Sequence, residues 1–234
     1  PIKDHEMQSI AFENNLSETA FVSIYDSPIY IRWFTPSIEV DLCGHATLAS
    51  ARILFEHYPE LAGKEINFDS KSGILKVTKN KDDLCLNFPV DKPVLLDPDP
   101  LFAEILGIEP LELHRGKDDY LAIFDNQKQI EQIQPNLLLL SKLDSRGLVI
   151  SAPGEQVDFV SRCFYPEAGI EEDPVTGSAH TMLTPYWANE LDKYNLEANQ
   201  LSKRGGKLTC VLANNRVCIS GKSVIFFEGI ISIV

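Results

Sequence analysis

The sequence predicts an α+β protein built from two similar lobes, and three observations carry that expectation. Two Ala-rich apolar segments, 45–57 and 178–191, are each opened by a glycine and read as helices. Around each lie short runs rich in β-branched and aromatic residues, which read as strands. Between the halves, Pro89-Val90-Asp91-Lys92-Pro93 and Asp97-Pro98-Asp99-Pro100 stop helix and central strand alike, so a linker is expected there. The lobes are then 1–98 and 99–234.

The first helix is expected at 4–14, where Met7, Ile10 and Ala11 share a face, Asp4 is the candidate N-cap and Asn14-Asn15 the stop. Strands at 21–25 and 29–34 follow, joined by a turn at Ser27-Pro28. After the helix opened by Gly44 and stopped before Pro59, strands are expected at 66–68, 73–77 and 84–88. The second half is similar in kind, with a short helix at 101–106, a strand at 120–124 and a helix at 127–133. Strands at 147–150 and 157–162, the long helix at 178–191, and strands at 208–212, 217–220 and 224–234 complete it. The last strand is expected to pack back on the first lobe.

With 21 Lys+Arg against 34 Asp+Glu, the 234 residues carry a net charge of −13, which repels phosphate backbones and anionic lipid. Nucleic acid and membrane are therefore not expected partners. A hydrophobic content of 44% is enough for a sizeable core. The five cysteines, at 43, 85, 163, 210 and 218, are odd in number and contain no C-x-x-C. Neither a zinc cradle nor a disulfide framework is expected, which suits a soluble protein of the reducing cytoplasm.

The most informative comparison sets Cys43-Gly44-His45-Ala46 beside Thr176-Gly177-Ser178-Ala179. A helix N-terminus presents unpaired backbone N–H groups and a partial positive charge, and glycine lets a ligand approach them. One such glycine most often serves only a tight turn. Two matched ends facing each other would make an anion-binding cleft. Near them stand Glu18, placed between a helix and a strand, and His45, which the helix dipole is expected to hold neutral. Asp173, fixed by Pro174 and close to Ser178, is the third titratable candidate. His180 reads as a packing histidine, and Trp33 and Trp187 as core. Ser220-Gly221-Lys222-Ser223 fails as a phosphate loop, because Arg216 stands where glycine is required and a strand follows.

Read together, Asn15-Leu16-Ser17-Glu18-Thr19-Ala20-Phe21, Arg32-Trp33-Phe34-Thr35-Pro36, Asp41-Leu42-Cys43-Gly44-His45-Ala46 and Glu172-Asp173-Pro174-Val175-Thr176-Gly177-Ser178 resemble the PhzF-like (phenazine biosynthesis-like) family. Met7-Gln8-Ser9-Ile10-Ala11 and Gln200-Leu201-Ser202-Lys203-Arg204-Gly205-Gly206 extend the resemblance along nearly the whole chain. It implies a diaminopimelate-epimerase-like fold: two pseudo-symmetric lobes, each a curled, mostly antiparallel sheet around a central helix, with the site between them. It also implies an isomerase that needs no cofactor or metal and acts on a small carboxylate-bearing metabolite. Glu18 would be the acid/base, with His45, Asp173 and Ser178 in support, and the amides at Gly44-His45 and Gly177-Ser178 would bind carboxylate. Family members open with a strand and a Gly-Asn-Pro-Ala segment ahead of the first helix, so the first lobe is expected to lack its N-terminal strands. Homodimerisation rests on the resemblance alone.

Two other readings stand beside this one. A non-catalytic protein could hold an anionic metabolite in the same cleft. An epimerase or racemase could work through Cys43, but the matching second position holds Thr176, whose hydroxyl is too weak an acid or base for two-thiol inversion.

Overall fold

The computed structural model describes residues 2–231 except 26, 62, 64 and 81. It is an α+β fold in which one long curled sheet wraps two helices in succession. The strands run in the order β1-β2-β4-β5-β6-β14-β13-β12-β11-β10-β9-β8-β7, with β3 paired to β2. In the first part, β1 (Thr19–Ser23), β2 (Ile29–Phe34), β3 (Glu39–Val40), β4 (Ile66–Ser70), β5 (Gly73–Asn80) and β6 (Asp83–Pro89) curl around α2 (Gly44–His57). In the second, α6 (Gly177–Leu191) packs on β12 (Asn195–Gln200), β13 (Gly206–Ala213) and β14 (Arg216–Lys222).

The helix α1 (Asp4–Asn14) ends as expected, with Asn15 in the left-handed region at φ 47°. Its start differs from expectation. Lys3 is the N-cap, its N–H donating to Glu6 Oε2 at 2.7 Å, and Asp4 inside the helix instead pairs with Arg32 at 2.7 Å. The interval expected to be pure linker carries the two-residue β7 (Val94–Leu95) and the start of α3 (Pro100–Leu106), which Asp99 caps through Leu101 N–H. Pro100 at the first helical turn explains this, because its missing N–H has no partner there to lose.

Two strands decide where the core sits. β10 (Gly147–Pro153) and β11 (Phe159–Phe164) are buried on both faces, and each also has a parallel neighbour, β9 (Asp119–Ile123) and β12 respectively. Their alternation divides the apolar residues between two cores. Val149, Phe159 and Cys163 face the core shared with α2 and α6. Leu148, Ile150, Ala152, Val160 and Phe164 face a second core covered by α3, α4 (Gln127–Gln132) and α5 (Leu137–Leu140). Trp33 and Trp187 are core residues as expected, and Trp187 Nε1–H donates to the buried Ser151 hydroxyl at 2.9 Å.

Three further expectations are corrected. Residues 224–231 form no strand, and Phe226 and Ile230 are almost wholly exposed; 232–234 lie outside the described residues. The strand that bridges the two halves is β14, antiparallel to β6 from Arg216↔Pro89 to Lys222↔Asp83. That pairing brings Cys85 and Cys218 together in a disulfide, whereas the cysteine count pointed to none. Their separation of 133 residues hides the proximity, which only the β6–β14 register creates. The strands β8 (Glu112–Arg115) and β12, and the helix α5, were not anticipated; their polar or uniform Leu patterns carry no clear period.

His180 lies one turn into α6, its Nδ1–H donating to Thr176 O at 2.7 Å, and burial pushes its pKa down to about 4. A lowered histidine pKa means that the unfolded chain binds the proton more tightly. This contribution to stability is complete above about pH 6.5 and is lost as the pH falls through about 4. Asp173 and His45, both raised, work in the opposite direction. A difference measurement therefore isolates His180. Between pH 7 and 4.5 the wild type should lose about 2 kcal/mol more than His180→Asn in urea unfolding. Parallel losses would remove His180 as the cause.

Candidate active site

The N-termini of α2 and α6 meet glycine to glycine. A Cβ placed on Gly44 would lie 3.1 Å from Gly177 Cα, and one placed on Gly177 would lie 3.3 Å from Gly44 Cα. Neither glycine has a positive φ, so their purpose here is the close approach of two backbones. Two sets of unpaired N–H groups thus open onto one cleft of about 980 Å³. Glu18, Cys43, His45, Asp173, Thr176 and Ser178 all line it, so every residue singled out from the sequence lies at one place.

Glu18, in the turn between α1 and β1, is only a tenth exposed and places Oε2 3.1 Å from His45 Nε2. That oxygen is otherwise without an aligned hydrogen bond. His45 Nδ1 lies 3.0 Å from Val175 O, and Ser17 Oγ is 3.5 Å from Nε2. Both ring nitrogens therefore face oxygen acceptors, an arrangement that suits the doubly protonated ring. Burial opposes the imidazolium, yet the Cys43 sulfur and the Glu18 carboxylate outweigh it, and the pKa of His45 is held well above its ordinary value. Burial also pushes the Cys43 thiol itself up, to about 11. The expectation of a neutral His45 is thus corrected in direction: the Cys43 sulfur and the Glu18 carboxylate in contact with the ring outweigh the diffuse field of a helix end.

Asp173 is buried, and its Oδ2 accepts a short hydrogen bond from Thr176 Oγ1 while Oδ1 has no partner. Burial raises its pKa. Gln200 locks this turn, accepting from Thr176 N–H at 2.7 Å and donating to Asp173 O at 2.8 Å. The Ser178 hydroxyl accepts from Arg146 Nη2 at 3.1 Å. Arg146 in turn forks onto Asp119, through Nε to Oδ1 at 2.9 Å and Nη2 to Oδ2. Sequence reasoning missed Ser17, Arg146 and Asp119. Arg146 and Asp119 lie 32 and 59 residues from Ser178 in the chain and sit in no local motif; only the parallel β9–β10 pairing brings them together.

Glu18, Cys43 and His45 also hold their ligand-type atoms within 4.8 Å of one another. Cys43 is a neutral buried thiol, however, and the His45 nitrogens are engaged with acceptors, so the donor set is poorly prepared for a cation. A second groove of about 930 Å³ lies at the other end of α6, around Tyr186, Glu190 and His114, away from either long-helix N-terminus.

The profile of the family described as phenazine biosynthesis-like protein matches residues 2–229. An uncharacterised isomerase of Pseudomonas aeruginosa is 45% identical over 228 residues, covering 97% of this chain and 87% of that protein. A crystal structure of a phenazine biosynthesis protein of the PhzF family from Enterococcus faecalis superposes with a TM-score of 0.91. It is 42% identical, and the match covers 97% of this chain and 87% of that one. A predicted epimerase of Pseudomonas aeruginosa shares the fold at a TM-score of 0.72 and 17% identity, over 97% of this chain and 90% of that one.

The fold is epimerase-like, and relatives named isomerases, 45–46% identical over nearly the whole chain, make this an isomerase-type enzyme. The chain belongs to the phenazine biosynthesis-like protein family. No helix among the described residues is long and apolar enough to cross a membrane.

Proposed function

We propose that the protein is a proton-shifting isomerase of a small carboxylate-bearing metabolite, with Glu18 as the acid/base and no metal or cofactor in the reaction. The observation that carries the reading is the convergence of Glu18, His45 and two glycine-opened helix ends on one cleft. The substrate carboxylate sits on the amides at Gly44-His45 and Gly177-Ser178. Glu18 removes a proton alpha or vinylogous to that carboxylate, and the C–H electron pair passes into the conjugated system and onto the carboxylate oxygens. There the amide dipoles stabilise the growing charge, as oriented donors do in other enzymes. The carboxyl proton on Glu18 exchanges with solvent, and Glu18 then delivers a proton at another carbon, which moves a double bond on one face of the substrate and carries solvent hydrogen into the product. The His45 imidazolium orients Glu18, and Asp173, with Oδ1 unpartnered at the cleft, supports the substrate's polar group.

Two observations weigh against inversion by a thiol pair. Cys43 is held as a thiol by burial, and the position opposite is Thr176, whose hydroxyl is spent on Asp173. The test is solvent-deuterium incorporation into a panel of small carboxylates in D2O. Wild type and Cys43→Ala should incorporate deuterium at rates within about threefold of each other, since a buried thiol used only for packing contributes little to chemistry. Saturable binding of a panel member with no incorporation would favour a binding protein. Loss of incorporation in Cys43→Ala alone would favour the thiol epimerase.

A further inference from the structure

We infer that Arg146 is the side-chain half of the anion site, a binding residue that joins the backbone amides of the two helix ends, those of α6 nearest to it, in receiving the substrate carboxylate. The inference rests on the proposed function for the identity of the site and adds the group that selects a carboxylate over a neutral amide.

Four observations point to Arg146. Its side chain is about one third exposed and lines the cleft together with Gly44, Gly177 and Ser178. Two of its nitrogens are committed: Nε and Nη2 fork onto Asp119, and Nη2 also donates to Ser178 Oγ. Nη1 takes no hydrogen bond among the described residues and is not buried, so a residue that lines the cleft keeps one N–H edge of its guanidinium free. The guanidinium is immobilised on its far side by Asp119, which is nearly inaccessible, and by stacking over the Tyr165 ring at 5.2 Å.

The electrostatics of this placement are unusual. Ser178 is the second residue of α6, so Arg146 presses a cation against the positive end of a helix, where the macrodipole disfavours it. Asp119 offsets part of that cost from behind. An anion seated between the guanidinium and the α6 amides would satisfy both positive groups at once, as arginine does when it recognises a planar carboxylate. Arg115 and Lys117 line the same cleft, but so do Asp118 and Asp144. Glu39, Asp41, Glu167 and Asp173 line it as well, so the bulk field does not attract an anion, and directed N–H groups rather than net charge make the selection. This also accommodates an anionic ligand in a chain of net charge −13.

The probe is malonate, titrated in a thermal-unfolding assay at constant ionic strength with chloride and malonamide as controls. Malonate should raise the Tm of the wild type saturably, and malonamide should not. Arg146→Gln should need at least about tenfold more malonate for the same shift, the usual effect of removing one charge-assisted hydrogen bond. Because that variant strands the buried Asp119, the double variant Arg146→Gln with Asp119→Asn removes the unpaired charge too and should show the same loss. Arg146→Lys should recover part of the response, since it restores charge without the fork. A wild-type malonate response in the folded double variant overturns the inference, as does a wild type indifferent to malonate. Glu18→Gln separates the two claims. It should keep the malonate response whatever happens to proton exchange, so loss of exchange there tests the proposed reaction and leaves Arg146 to be judged on malonate alone.

Discussion

Glu18→Gln should reduce deuterium incorporation by about 10²- to 10⁴-fold, the range that a positioned acid/base supplies. The substitution preserves shape, so the 3.1 Å contact with His45 can be kept as a hydrogen bond, and the amides at the two helix ends are untouched. Binding of the same carboxylate, measured by calorimetry, should change little. A second consequence follows from the charge removed. The carboxylate helps hold His45 above its ordinary pKa, so the His45 titration followed by NMR should move down in the variant. Retained turnover in Glu18→Gln would end the assignment of the base.

Gly44→Ala should lower turnover by about 10²-fold, a loss of the size expected when a site built on two backbones is opened by a fraction of an ångström. The added methyl would meet Gly177 Cα at 3.1 Å, and both partners are main chain near the start of a helix, so no side chain can swing aside. Overpacking of this kind costs about 1–3 kcal/mol. Alanine recovers up to about 1 kcal/mol through helix propensity, so the net loss of stability should be small. The decisive comparison is therefore activity against Tm: turnover falls steeply while the Tm moves by only a few degrees. A fully active Gly44→Ala would mean that the helix-end separation is not critical to the site.

Much of the candidate site was legible in the chain because its parts are short and local. Gly44-His45 and Gly177-Ser178 announce helix starts by residue type alone, and Glu18 lies at a helix-to-strand turn. The helices at 44–57 and 177–191 and most of the apolar strands could be read from period and composition. What failed did so for identifiable reasons. Residues 224–231 have a strand's composition, but composition does not supply a pairing partner. The strand β12, Asn195–Gln200, has a polar sequence that propensity would leave as loop; its place between β11 and β13 makes it a strand.

By itself the sequence determined the α+β character, the two glycine-opened helices and the residues that could do acid/base work, since these depend on local steric and hydrogen-bonding rules. Tertiary structure alone decided everything that depends on distance. It brought Gly44 against Gly177, set His45 against Cys43, Glu18 and Val175 O so that its pKa is raised rather than lowered, and placed Cys85 beside Cys218. It also put Arg146 on Ser178. The physical reason is the same in each case: an electrostatic or packing interaction is fixed by separation in space, and long-range strand pairing sets that separation without leaving a mark in the neighbouring residues.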